Sequence, residues 1–206
     1  MNVRSRVETA AIGVTVFACG WILMGVEIVG GRMLSPYFGS GIWVWGSVIS
    51  VFLVALSCGY YLGGLLSHKW GAAAGLAIVI ACAAVSILPV AFWYGPASLR
   101  IAEIGWHERW GSLFAAVLLF FIPSTLLGIV SPYAVRLTIQ SLDTSGRSAG
   151  TLYSLSTLGS CMGCLFTSFY LILWMGIRSI LLLKAGLLLV TAVWFLSMWY
   201  GAGRKR

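Results

Sequence analysis

Six runs of mostly apolar residues constrain the fold of this chain more than any other feature of its sequence. A helix needs roughly 20 such residues to cross the hydrocarbon layer of a bilayer, where only helices and closed barrels satisfy every backbone polar group. The sequence therefore predicts an all-α integral membrane protein of about six transmembrane helices, forming a single polytopic domain. The expected spans within residues 1–206 are 10–30, 42–62, 72–94, 112–130, 149–175 and 179–200.

Composition supports this prediction and excludes some functions. Hydrophobic residues make up 60% of the chain and charged residues 9%, whereas an average soluble domain is about 25% charged. The net charge of +8 comes from basic residues scattered at the ends of the apolar runs, so nucleic acid is not expected as a partner. The first run is too long for a signal peptide and lacks a cleavage site, so we expect it to remain as the first span.

The distribution of lysine and arginine between the loops predicts the orientation of the chain, because cytoplasmic loops carry an excess of these residues. With the N-terminus in the cytoplasm, eight basic residues fall on the cytoplasmic side: Arg4, Arg6, Lys69, Arg136, Arg147, Arg204, Lys205 and Arg206. Four fall on the opposite side: Arg32, Arg100, Arg109 and Arg178. Both termini are therefore expected in the cytoplasm.

Short sequence matches suggest that three helices are duplicated. The Ser-Pro-Tyr sequence at residues 35–37 recurs at residues 131–133, and residues 56–59 resemble residues 158–161. A unit with an odd number of helices inverts its second copy, which gives a 3+3 inverted repeat. Transporters often use this arrangement, with binding sites between the two repeats.

Ionisable residues inside a membrane span are costly and often functional. Glu27 lies near the outer end of the first span, Lys184 enters the sixth span at a comparable depth, and Arg32 follows Glu27 closely. We expect Glu27 to pair with Lys184 or Arg32. The group is a candidate site for a cationic substrate or a proton, and the alternative is a structural ion pair or a lysine that extends to the interface.

Small residues inside the spans predict close helix packing. Gly59 and Gly63 are four residues apart in the second span, as are Gly159 and Gly163 in the fifth, a spacing that lets helix backbones approach. Cys161 and Cys164 form a CxxC sequence, but in the middle of an apolar run they are expected to serve packing rather than redox chemistry. We expect the connection 95–111, with its two tryptophans, to form either a short helix in the membrane interface or an ordered loop.

Motifs for catalysis are not expected. His68 and His107 are predicted on opposite sides of the membrane, and no metal-ligand set, nucleophile elbow or phosphate-binding loop is recognisable. The chain is therefore predicted to have no catalytic residues, no metal site and no cofactor, and not to be an enzyme on its own.

Five segments together resemble a known family. They are EIVGGRMLSPYFG at 27–39, VWGSVI at 44–49, GYYLGG at 59–64, LGIVSPYAVRL at 127–137 and GTLYSLSTLGS at 150–160. The combination resembles the membrane domain of bacterial membrane-fused spermidine synthase-like proteins, which is similar to half of a major facilitator transporter. The motif residues carried over are Pro36, Tyr37, Tyr60, Tyr61, Pro132, Tyr133 and Arg136.

The resemblance implies a function and a location. In that family the membrane domain precedes a soluble aminopropyltransferase-like domain, for which we find no counterpart in the sequence. We therefore expect a non-catalytic module in the bacterial inner membrane that anchors or serves a separate cytoplasmic spermidine synthase-like enzyme. The alternatives are a small transporter that works as a homodimer and a membrane assembly factor. Residues 63–71 depart from the major facilitator pattern, because Ser67 and His68 replace its Asp-Arg pair.

Overall fold

The computed structural model describes residues 3–70, 73–138 and 142–203, and in these segments six helical spans are long and apolar enough to cross a membrane. The prediction of an all-α membrane protein with six spans is confirmed. The helices are α1 (Val3–Phe38), α2 (Ile42–Trp70), α3 (Ala73–Glu103), α4 (Glu108–Thr138), α5 (Leu142–Phe166), a π-helical turn (Thr167–Leu171), α6 (Ile172–Trp174) and α7 (Ile177–Gly203). Together, α5, the π-helical turn and α6 form the fifth span.

The helices extend beyond the predicted apolar runs, most clearly between the third and fourth spans. The short interfacial helix expected within residues 95–111 is not formed, because α3 continues to Glu103 and α4 begins at Glu108. Ser98 and Ile101 are buried in this extension, so tertiary packing holds it helical despite Pro96 within the helix. Gly105 then ends the helix at a φ of 77°, a conformation that favours glycine.

Helices α1 and α4 contact each other and form the centre of the bundle. On the remaining sides, α2 packs mainly against α4 and α5 mainly against α1, while α3 and α7 pack against each other and each against a central helix. If the first three spans correspond to the last three in order, α1 is equivalent to α4 and α2 to α5. The α2–α4 contact is then equivalent to the α5–α1 contact. The helix packing therefore fits a 3+3 inverted repeat.

The two glycine pairs lie at these equivalent contacts. A Cβ atom added to Gly59 or Gly63 would collide with the backbone of α4, and one added to Gly159 or Gly163 would collide with the backbone of α1. The prediction that these glycines permit close helix approach is confirmed.

The Ser-Pro-Tyr matches are not in equivalent surroundings. Pro36 is exposed at the end of α1. Pro132, in contrast, packs against α2, because its Cγ would lie only 2.6 Å from a Cβ atom added to Gly63. Tyr37 is half-buried and Tyr133 fully buried. The repeat is thus supported by helix packing and not by this tripeptide.

Candidate functional site

A cavity of about 120 Å³ lies where the two central helices meet α2 and α5. Its walls come from both three-helix units. They consist of Val16, Cys19, Gly20, Leu23, Met24, Leu56, Tyr60, Leu127, Gly128, Val130, Ser131, Tyr153, Ser156, Thr157 and Ser160. Because the number of spans is even, both termini lie on one side, which we call the terminus side. Tyr60 lies ten residues before the end of α2 at Trp70, about 15 Å along the helix axis from that side.

Hydroxyl groups give the cavity its chemical character. The hydroxyls of Ser131 in α4 and Ser156 in α5 lie 3.5 Å apart, and Ser160 donates a hydrogen bond of 3.3 Å to the carbonyl oxygen of Gly20 in α1. Tyr60 and Tyr153 flank the cavity and are 47% and 46% exposed. Among the described residues, the cavity wall contains no charged side chain. It offers hydrogen-bond donors and acceptors to a small polar group.

Glu27 lies one helical turn beyond this cavity. It follows Leu23 by four residues and Met24 by three, so it shares with these two wall residues one face of α1. Its side chain is half-buried. Arg32 is exposed, and the structure contains no ion pair between these two described residues. The carboxylate of Glu27 thus lies one helical turn beyond the cavity and forms no ion pair with the other residues that the structure describes.

Lys184 occupies a different site. It is fully buried, its Nζ lies 4.1 Å from the centroid of a Trp21 ring, and Nζ finds no hydrogen-bond partner in the described part of the chain. The structure therefore does not bring Lys184 together with Glu27. The two residues meet different sides of α1. Lys184 contacts α1 at Trp21 and Gly25. Glu27 follows Gly25 by two residues, so its side chain is rotated about 200° around the helix axis, away from Lys184.

The family-motif residues are spread over several environments. Tyr60 lines the cavity, whereas Tyr61 is 71% exposed and faces away from the bundle. Tyr133 is fully buried in α4. Arg136 is exposed near the terminus side.

The cysteines and histidines do not assemble a reactive site. The described residues contain no group of three His, Cys, Asp or Glu side chains that could hold a metal ion. Cys161 is exposed and Cys164 half-buried, and neither forms a disulfide. Cys19 is buried and lines the cavity.

Sequence reasoning missed the hydroxyl-lined cavity, although a signal for it was present. Tyr153, Ser156, Thr157 and Ser160 follow one another at positions i, i+3, i+4 and i+7 of α5. This spacing places polar side chains on one face of a helix inside an apolar segment.

Comparison of the chain with models of protein families, with curated proteins and with solved structures found no match. The fold and the cavity define a class, namely a six-span, all-α membrane protein with a polar cavity at the junction of two three-helix units.

Proposed function

We propose that this protein is a non-catalytic membrane module that binds the amine-bearing end of a small polar molecule and serves an aminopropyltransferase-like enzyme. The observation that carries the proposal is the cavity itself, which is lined with hydroxyl groups and whose wall residues Leu23 and Met24 lie one helical turn from the half-buried Glu27. Hydroxyl oxygens accept hydrogen bonds from an ammonium group, and a carboxylate neutralises its charge.

The size of the cavity limits what it holds. A volume of about 120 Å³ is several times what one water molecule requires. It is suited to a small polar group such as one aminoalkyl end of a polyamine. The remainder would extend between Tyr60 and Tyr153 toward the terminus side, where a soluble enzyme would reach it.

The surface on the terminus side suits an acidic soluble partner. Lys69, Arg136 and Arg147 are exposed there. Together with the resemblance to spermidine synthase-like proteins, this surface supports an enzyme docked on the same side as both termini. We place that side in the cytoplasm of a bacterium, because the larger number of basic residues is on it.

A binding experiment tests the ligand. Thermal unfolding of the purified protein in detergent is measured with putrescine and spermidine, using wild type, Glu27→Gln and the matched control Glu103→Gln at an exposed site. We expect both amines to raise the midpoint of wild type and of the control but not of Glu27→Gln, because a ligand that binds only the folded state stabilises it. Equal shifts in all three proteins would reject the site.

A second candidate function is transport by a homodimer. The specific observation in its favour is that the cavity lies between two units whose packing fits an inverted repeat, which is where transporters place their substrates. Uptake of labelled spermidine into sealed vesicles separates the two functions. Accumulation that depends on Glu27 would favour transport, whereas binding without uptake favours the module. An assembly factor would show neither.

A further inference from the structure

The most unusual polar group in the bundle is the amine of Lys184. It is fully buried in α7, and so is Thr167 at the start of the π-helical turn. Both Nζ of Lys184 and Oγ1 of Thr167 lack a hydrogen-bond partner among the described residues. Lys184 follows Ile177 by seven residues, so it lies about 10 Å below the start of α7.

The two groups converge on one point of α1. A Cβ atom added to Gly25 would lie 2.6 Å from Oγ1 of Thr167 and 2.6 Å from Cε of Lys184, and it would overlap Nζ. Only the absence of a side chain at Gly25 lets both groups approach the helix here. The sequence thus brings two hydrogen-bond donors together inside the bundle.

An ammonium group in this position is costly. Lysine offers three donors and no acceptor, and a buried charge without a partner strongly destabilises the folded state of a protein. The Trp21 ring at 4.1 Å offsets part of this cost through a cation–π interaction. The hydroxyl of Thr167 remains without an acceptor.

We propose that Lys184 and Thr167 form a binding site for a small monovalent anion, either a halide or a carboxylate. Such a ligand accepts a hydrogen bond from each group and neutralises the lysine. This site is separate from the cavity beside Glu27 and does not depend on the proposed function.

The fifth span suggests how the ligand enters. The π-helical turn that begins at Thr167 contacts mainly its own span and α1, so movement of this turn exposes the site without disrupting the α3–α7 contact. π-helical turns inside longer helices occur frequently at functional sites.

The experiment is thermal unfolding of the full chain in detergent, with sodium gluconate replaced stepwise by chloride or by formate at constant ionic strength. The proteins are wild type, Lys184→Met, Thr167→Val and the matched control Lys69→Met, whose lysine is exposed. Gluconate serves as the bulky reference anion, and the chloride and formate arms distinguish a halide from a carboxylate.

We expect at least one of the two anions to raise the unfolding midpoint of wild type and Lys69→Met with saturation. Lys184→Met should not respond, and in gluconate it should be more stable than wild type, because an apolar side chain replaces an unpaired charge. Thr167→Val should bind the anion about fivefold more weakly, the loss expected for one hydrogen bond. The proposal is wrong if wild type responds to neither anion, if Lys184→Met responds as wild type does, or if Thr167→Val binds with unchanged affinity.

Discussion

The packing of α2 on α4 can be tested with two neighbouring glycines that differ only in what faces them. A Cβ atom on Gly63 would lie 2.6 Å from Cγ of Pro132 and 2.7 Å from the carbonyl oxygen of Ile129. On Gly64, the next residue, it would meet nothing within 4 Å. The substitutions Gly63→Ala and Gly64→Ala therefore make the same chemical change at a packed and at an open position of one helix.

The expected free energies follow from these distances. Non-bonded carbon atoms prefer separations of about 3.5–4.0 Å, so α2 and α4 must move apart by about 1 Å to admit the new methyl group at residue 63. Overpacking of this kind costs about 1–3 kcal/mol, whereas alanine favours a helix by about 1 kcal/mol over glycine. The propensity gain is common to both variants and cancels between them. Gly63→Ala should therefore be about 1–3 kcal/mol less stable than Gly64→Ala.

The assay is reversible unfolding of the purified protein by sodium dodecyl sulfate in mixed micelles, followed by circular dichroism or tryptophan fluorescence. Gly64→Ala should unfold at a higher detergent fraction than wild type, because it gains helix propensity without a clash. Equal midpoints for the two variants, or a higher midpoint for Gly63→Ala, would refute the close contact between α2 and α4.

Three further predictions follow from the arrangement of the spans and charges. In a chain without its native cysteines, Gly146→Cys should be shielded from an impermeant thiol reagent in intact cells and Glu103→Cys should react; the reverse pattern would invert the topology. Glu27→Gln and Lys184→Met should change stability additively, because the two residues lie on different sides of α1; a coupling above about 0.5 kcal/mol would indicate contact. Copurification of a soluble enzyme should weaken as salt is raised, because exposed charges are screened within about 8 Å at physiological ionic strength; recovery that is independent of salt would argue against the basic surface.

The number and order of the helices could be predicted because each membrane span is a continuous run of apolar residues in the sequence. About 20 apolar residues satisfy the same physical requirement wherever they occur in the chain. The role of the glycine pairs in close packing could also be predicted, because two residues four apart lie on the same face of a helix whatever the neighbouring helix is. These features depend on local sequence alone.

The pairing of Glu27 with Lys184 could not be judged from sequence, because depth in the membrane does not determine direction around the helix axis. Both residues lie in the half of their spans that is farther from the termini, yet Lys184 meets the Gly25 face of α1 and Glu27 does not. Which face of α1 is turned toward α7 is decided by the packing of all six spans.

The helical extension of α3 was missed for a related reason. Pro96 and the polar residues that follow it favour a break, and only the burial of Ser98 and Ile101 against other helices outweighs that preference. Local signals of this kind are weak where tertiary contacts oppose them.

The most direct test of the proposed function is protection of the cavity from chemical modification. In a chain without its native cysteines, Thr157→Cys places a thiol in the cavity wall, and Gly146→Cys places one on the terminus side, in open space. Spermidine at ten times its dissociation constant should slow the reaction of Thr157→Cys with a small methanethiosulfonate about tenfold, because only the unoccupied fraction reacts. The rate at Gly146→Cys should not change. Equal rates at Thr157→Cys with and without spermidine would contradict amine binding in the cavity.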